Sequence, residues 1–85
     1  MKNAKELSDN IFKDLKSRKK LIKELKLCSS EKDLRLIFIG AGMYIRNKYL
    51  WNNAENVKLL AEYYKKDNED DISFEIFNRL YNEIK

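Results

Sequence analysis

Apolar positions recur at helical spacing along almost the whole chain. Leu7, Ile11 and Leu15 repeat every four residues on one face, the pattern of a helix that buries one side. Asn3, with Glu6 three positions on, gives that helix a capping-box-like start. Extending it would put Arg18 on the apolar face between Leu15 and Ile22, and Ser17 is a favourable N-cap residue. The pattern therefore predicts a break at residues 16–18 and a short second helix carrying Leu21, Ile22 and Leu25. One long bent helix is the alternative.

Cys28-Ser29-Ser30 forms the next break, and Ser30 with Asp33 makes a second capping pattern. Leu34, Ile37, Phe38, Ala41 and Ile45 then define a third helix, expected over about residues 31–48. Leu36, Ile39 and Met43 fill its other side, and a helix apolar nearly all round is expected at the centre of a fold. Asn52 or Asn53 caps a fourth helix with Val57, Leu60, Ala61 and Tyr64 inward, and Lys65 and Lys66 suit its C-terminal end. After the polar turn at residues 67–71, Asp70 or Asp71 is expected to cap a last helix with Ile72, Ile76, Leu80 and Ile84 inward. Phe74, Phe77 and Tyr81 widen that face. The expected fold is one all-α domain over residues 1–85, a compact orthogonal bundle of four or five short helices around the apolar third helix.

Composition agrees with that fold and narrows the function. Proline is absent, there are two glycines, and 44% of the 85 residues are hydrophobic, which favours helices with a packed core over a turn-rich sheet or a disordered tail. A chain this short buries roughly 60–65% of its unfolded surface, leaving little room for a deep substrate cavity. The single Cys28 cannot form an intrachain disulfide, so a reducing, cytoplasmic setting is expected. The N-terminal residues lack the apolar stretch of a signal peptide. The longest uncharged run, Leu36 to Ile45, falls short of the about 20 residues that cross a bilayer, so no membrane association is expected.

Histidine is absent, which removes the usual near-neutral general base and the commonest metal ligand. One cysteine cannot build a zinc site. The acidic turn from Asp67 fails as a calcium loop, because its sixth position is Ile72 and its twelfth Asn78. Gly40-Ala41-Gly42 lacks the flanking pattern of a phosphate loop. It is read instead as a place where another helix approaches closely, since each glycine inside a helix costs about 1 kcal/mol against alanine. The expectation is a non-enzyme with no metal or cofactor.

Charge is unevenly placed. Residues 1–50 carry 13 Lys/Arg against 6 Asp/Glu, whereas residues 51–85 carry 5 against 8. Lys16, Lys19, Lys20 and Lys23 would share a face on one helix, a candidate phosphate-binding surface. Arg46 follows the most apolar stretch and needs a carboxylate partner, for which Asp70 and Asp71 are candidates. Its removal is expected to destabilise the fold by a few kcal/mol where that partner is buried. Tyr44, Arg46, Asn47 and Tyr49 form a candidate protein-binding cluster, and Trp51 is expected to close one end of the core.

Gly40, Gly42, Ile45, Arg46 and Asn47, then Leu50-Trp51, then Asp70, Asp71 and Ser73 resemble the pattern of a family of small uncharacterised bacterial proteins. That pattern runs His-Phe-Gly-x-Gly-x-x-Ile-Arg-Asn, Gly-Leu-Trp and Pro-Asp-Asp-x-Ser, and the likeness covers roughly residues 30–77. Phe38 stands in place of its His, the Gly before Leu50 is missing, and Glu69 replaces its Pro. The resemblance implies no activity. The departure at Phe38 fits a structural role for the polar residues.

The expected function is a small protein-binding module, an inhibitor or immunity-type protein of a bacterial or phage conflict system. It would act stoichiometrically on another protein, as a monomer or small homo-oligomer. The alternative is a nucleic-acid-binding regulator using the basic Lys13–Lys26 stretch.

Overall fold

A computed structural model describes residues 3–84. It contains α1 (Ala4–Lys16), α2 (Lys19–Leu27), α3 (Glu31–Ile45), a π-helical turn (Arg46–Leu50), α4 (Ala54–Tyr64) and α5 (Glu69–Ile84). No strand occurs among the described residues, and the architecture is a small all-α bundle.

The helix starts follow the capping chemistry closely. The Asn3 side chain accepts from the Glu6 amide at 2.8 Å, Ser30 from Asp33 at 3.1 Å, and Asn53 from Asn56 at 3.0 Å. Each satisfies an amide that the first helical turn leaves without a partner. α5 differs from expectation. The side chain of Asn68, not Asp70 or Asp71, accepts from the Asp71 amide at 2.9 Å, so the helix begins two or three residues earlier.

The break between α1 and α2 falls where the apolar pattern placed it, but Ser17 has the opposite role. It closes α1, donating its hydroxyl to the Asp14 carbonyl at 2.6 Å. Arg18 takes the extended N-cap position of α2 without a side-chain cap. A serine hydroxyl can bond back into its own preceding turn, and the Arg18 side chain is drawn away to Tyr44.

Leu7, Ile11, Leu15, Leu25, Ile45, Leu50, Leu60, Ile72, Ile76, Phe77 and Leu80 are fully or almost fully buried. α5 supplies the most of these and touches every other element: α1, α2, α3, α4 and the π turn. α3 occupies its expected segment but is packed on one side only. Leu36, Ile39 and Met43 are 59%, 60% and 50% exposed, which corrects the expectation of a helix surrounded by neighbours. An all-round apolar helix is ambiguous: its second face can meet the core or face outward. Trp51 is also corrected, being 54% exposed rather than closing the core.

The π turn continues α3 with a changed register. Its last residue is followed by a 2.7 Å bond from the Trp51 amide to the Arg46 carbonyl, five residues apart. In an α-helix positions five apart differ by about 140°, which would swing Leu50 away from Ile45. The wider turn stacks them instead, and both are buried. Such turns are inserted irregularities, often associated with functional segments.

Candidate functional site

The last turn of α3 and the π turn that follows bring Tyr44, Lys48 and Tyr49 around one carboxylate, Asp14 of α1. Asp14 Oδ2 accepts from the Tyr44 hydroxyl at 2.7 Å, from Lys48 Nζ at 3.0 Å and from the Tyr49 hydroxyl. Tyr44 in turn accepts from Arg18 at 2.6 Å and from Lys48 at 3.1 Å. The Arg18 guanidinium carbon also lies 3.9 Å from the centroid of the Tyr44 ring, a cation–π contact, while its Nε stands 3.8 Å from Asp14 Oδ1.

Burial alone would push the Asp14 carboxyl up. Hydrogen bonds from Tyr49, Tyr44 and Lys48, with the Lys48 charge, outweigh it and hold the group at about 2, below its usual 3.8. Tyr49 is pushed up to about 12, by burial first and then by its bond to the carboxylate. Lys48 is raised by its bonds to Tyr44 and Asp14. The carboxylate is thus ionised and saturated with donors across the neutral range. It clamps α1 to the end of α3 and is poorly placed to exchange protons near pH 7. Sequence reasoning missed Asp14. The available signal was its register, seven residues after Leu7 and therefore on the edge of the apolar face.

Arg46 points the other way, toward α5. Its Nη1 donates to Ser73 Oγ at 3.0 Å and its Nε lies 3.4 Å from Asp70 Oδ1. Ser73 is buried and donates onward to the Asp70 carbonyl at 2.9 Å. Asp70 is thus a partner, as expected, whereas the Asp71 carboxylate accepts from the Asn68 side chain at 3.2 Å. The Arg46 side chain is 16% exposed but that of Asp70 is 83% exposed, so the carboxylate is not buried.

Gly42 has its reason in this contact. A Cβ on it would stand 2.9 Å from Arg46 Nη1 and 2.7 Å from the Phe38 ring. That ring is edge-on to Phe74, with centroids 5.2 Å apart. Gly42, Arg46, Asp70 and Ser73 therefore meet, and Phe38 lies beside them. Asn47 is exposed. The candidate binding cluster is divided accordingly: Tyr44 and Tyr49 face Asp14, Arg46 faces Ser73, and Asn47 faces outward.

The basic stretch is divided as well. Lys16, Lys19, Lys23 and Lys26 line one groove with Ile22 and Leu27, whereas Lys20 lines another between α2 and α3. The break at Ser17 and Arg18 causes this, since a continuous helix would have aligned Lys16 with Lys20. Lys16 also pairs with Glu83 of α5.

What remains uncommitted is the outer side of α3. At 100° per residue, Leu36, Ile39, Gly40 and Met43 fall within an arc of about 100°, and Leu27 shares a concavity with Leu36. Gly40 differs from Gly42: a Cβ there would meet nothing within 4 Å. Exposed apolar side chains in a contiguous stripe are the usual mark of an interaction face.

Among the described residues, no group of three or more His, Cys, Asp or Glu side chains gathers to hold a metal ion, and no helix is long and apolar enough to cross a membrane. No protein-family model matches the chain, and neither a curated protein nor a solved structure matches it.

Proposed function

We propose that the protein is a small binding module that docks on another protein through the outer side of α3. The supporting observation is the stripe of Leu36, Ile39 and Met43, each half or more exposed on one helix face. Of the polar groups that sequence alone offered as contacts, Tyr44 and Tyr49 are engaged within the fold at Asp14 and Arg46 at Ser73, which leaves Asn47 exposed. An apolar docking face on a domain too small for a deep cavity suits stoichiometric action. That is how inhibitors and immunity proteins of bacterial and phage conflict systems work, and the protein is proposed as one of that class.

The test is capture from a lysate of the native host with the whole chain and with an Ile39→Glu, Met43→Glu variant. Both positions are exposed, so the variant should keep its helical circular dichroism and melting temperature. A protein retained by the parent and lost with the variant supports the reading. Equal retention by both sinks it.

A second reading rests on the groove lined by Lys16, Lys19, Lys23 and Lys26, which suits phosphates. Neutralising Lys19, Lys23 and Lys26 together should abolish duplex binding if this reading holds. Submicromolar affinity at low salt that collapses as salt rises would then displace the protein-docking proposal.

A further inference from the structure

Three lysines of α2 carry charge that nothing in the fold uses. Lys19, Lys23 and Lys26 are exposed, and none makes an ion pair among the described residues. Their placement opposes the helix they stand on. Cations three and four positions apart repel one another. The first turn of α2 holds no acidic residue, although a helix N-terminus favours anions.

Their register on the helix places them together. At 100° per residue the three fall within an arc of about 60°, and Lys19 and Lys26 lie about 10 Å apart along the axis. Ile22 flanks this line on one side and Leu27 on the other, each about 40° away. With Lys16 of α1 these residues line a groove of about 450 Å³ that has no acidic lining among the described residues. Leu27 is 73% exposed, the highest value for a large apolar side chain among the described residues. A ligand that fits this groove is anionic along one line and apolar to either side of it.

We infer that the groove takes an acidic amphipathic helix of the partner protein, with carboxylates on Lys19, Lys23 and Lys26 and apolar side chains on Ile22 and Leu27. The inference rests on the reading of the chain as a protein-binding module and names the chemistry of what it binds. The fold already contains one contact of this kind: Lys16, in the wall of the groove, pairs with Glu83, a carboxylate carried on α5. Acidic residues spaced three and four apart on a second helix repeat the rise of the three lysines. Leu27 also borders the concavity that reaches Leu36, so the surface is continuous with the outer side of α3.

Two other anionic partners fit less well. A phosphate backbone satisfies the lysines but sets nothing apolar against Ile22 or Leu27. A helix that lies in a membrane surface buries its apolar side among the lipids. That side of α2 is turned into the fold, with Leu25 fully buried.

The probe is a synthetic alanine-based peptide of about 18 residues, long enough to form a helix alone. It carries glutamates spaced four and three apart on one face, with leucines beside them. Fluorescence anisotropy with the whole chain at about 0.05 M salt should give a Kd of about 10–100 μM. Exchanging the glutamates for glutamine should weaken binding about tenfold or more. Lys19→Gln, Lys23→Gln and Lys26→Gln made together should do the same, with the melting temperature unchanged or higher. Leu27→Ser should weaken binding about threefold or more. The chain with Lys19→Glu, Lys23→Glu and Lys26→Glu should reject the acidic peptide and bind one with lysines in place of its glutamates.

No binding of the acidic peptide, indifference to the lysine or Leu27 substitutions, or no recovery in the charge-reversed pair would each overturn the inference. So would duplex DNA, or vesicles of phosphatidylserine and phosphatidylcholine, bound as tightly as the peptide or more so. Capture from the host lysate separates this inference from the α3 reading. A protein lost with the Ile39→Glu, Met43→Glu variant but held by the triple glutamine variant overturns the groove and leaves the α3 face standing. The reverse result overturns the α3 face and leaves the groove.

Discussion

Asp14 concentrates the polar energetics of the molecule in a single side chain. Because its folded-state carboxyl sits at about 2 against an ordinary 3.8, the stability it contributes is fully present above about pH 4 and is lost as pH falls through 2. The difference corresponds to about 2 kcal/mol. Asp14→Asn should lower stability at pH 7 by about that amount, and it should flatten the pH dependence of urea unfolding between pH 4 and 2. A variant with an unchanged acid limb would show that the tyrosines and Lys48 do not hold the charge.

The two glycines offer a paired measurement at the same scale. Gly42→Ala forces Phe38 and Arg46 to move, a cost of about 1–3 kcal/mol offset by the about 1 kcal/mol that alanine gains in a helix, so the net loss should be up to about 2 kcal/mol. Gly40→Ala meets open space and should stabilise the isolated chain by about 1 kcal/mol. Opposite shifts in melting temperature are the expected outcome. Arg46→Ala should cost about 1–2 kcal/mol, less than a buried ion pair would imply, because Asp70 is largely in water and Ser73 keeps its bond to the Asp70 carbonyl. A loss of 3 kcal/mol or more, the range for breaking a buried pair, would contradict this.

At the scale of elements, the helices were legible because local chemistry decides them. Asn3, Ser30 and Asn53 mark three starts, and the apolar period marks the inward faces of α1, α4 and α5. What was not legible is whatever depends on which faces meet. Ser17 can cap forward or backward, and only the tertiary pull on Arg18 decides it. Leu36, Ile39 and Met43 look like core in one dimension and are surface in three. The π turn leaves no compositional mark, yet it sets where Tyr49 and Leu50 point. Arg46–Asp70 was readable as an opposite-charge pair, whereas Asp14 was hidden by sitting in register with leucines.

The end of α4 carries a testable cost. Lys65 adopts a left-handed backbone, φ 59° and ψ 47°, in a position where glycine usually ends a helix. Its amide and that of Lys66 bond to the Ala61 carbonyl, so the conformation is fixed by the cap. Lys65→Gly should stabilise the protein by roughly 0.5–1 kcal/mol, seen as a higher melting temperature. A decrease would mean that the lysine side chain contributes more than its backbone costs.

Across the molecule, the exposed ion pairs away from Asp14 contribute little to stability. Lys16–Glu83 joins α1 to α5 with both side chains about half exposed, and Arg35–Glu31 is more exposed still. Pairs of this kind are worth about 0–1 kcal/mol and are screened by salt. Raising sodium chloride tenfold should therefore move the melting temperature by only a few degrees, while any phosphate binding by the lysine groove would fall steeply. A large loss of stability in salt would show that the exposed pairs matter more than their geometry implies.

Because α5 touches every other element, synthesis of this chain has an order problem. At about 5–20 residues per second, the ribosome adds the 16 residues of α5 in roughly one to three seconds, after everything they pack against already exists. Until Ile72, Ile76, Phe77 and Leu80 emerge, Leu7, Ile11, Leu15 and Ile45 have no complete core to enter. Folding therefore waits on the synthesis of α5, and until then the earlier segments, each too short to make a stable helix alone, stay open to chaperones and proteases.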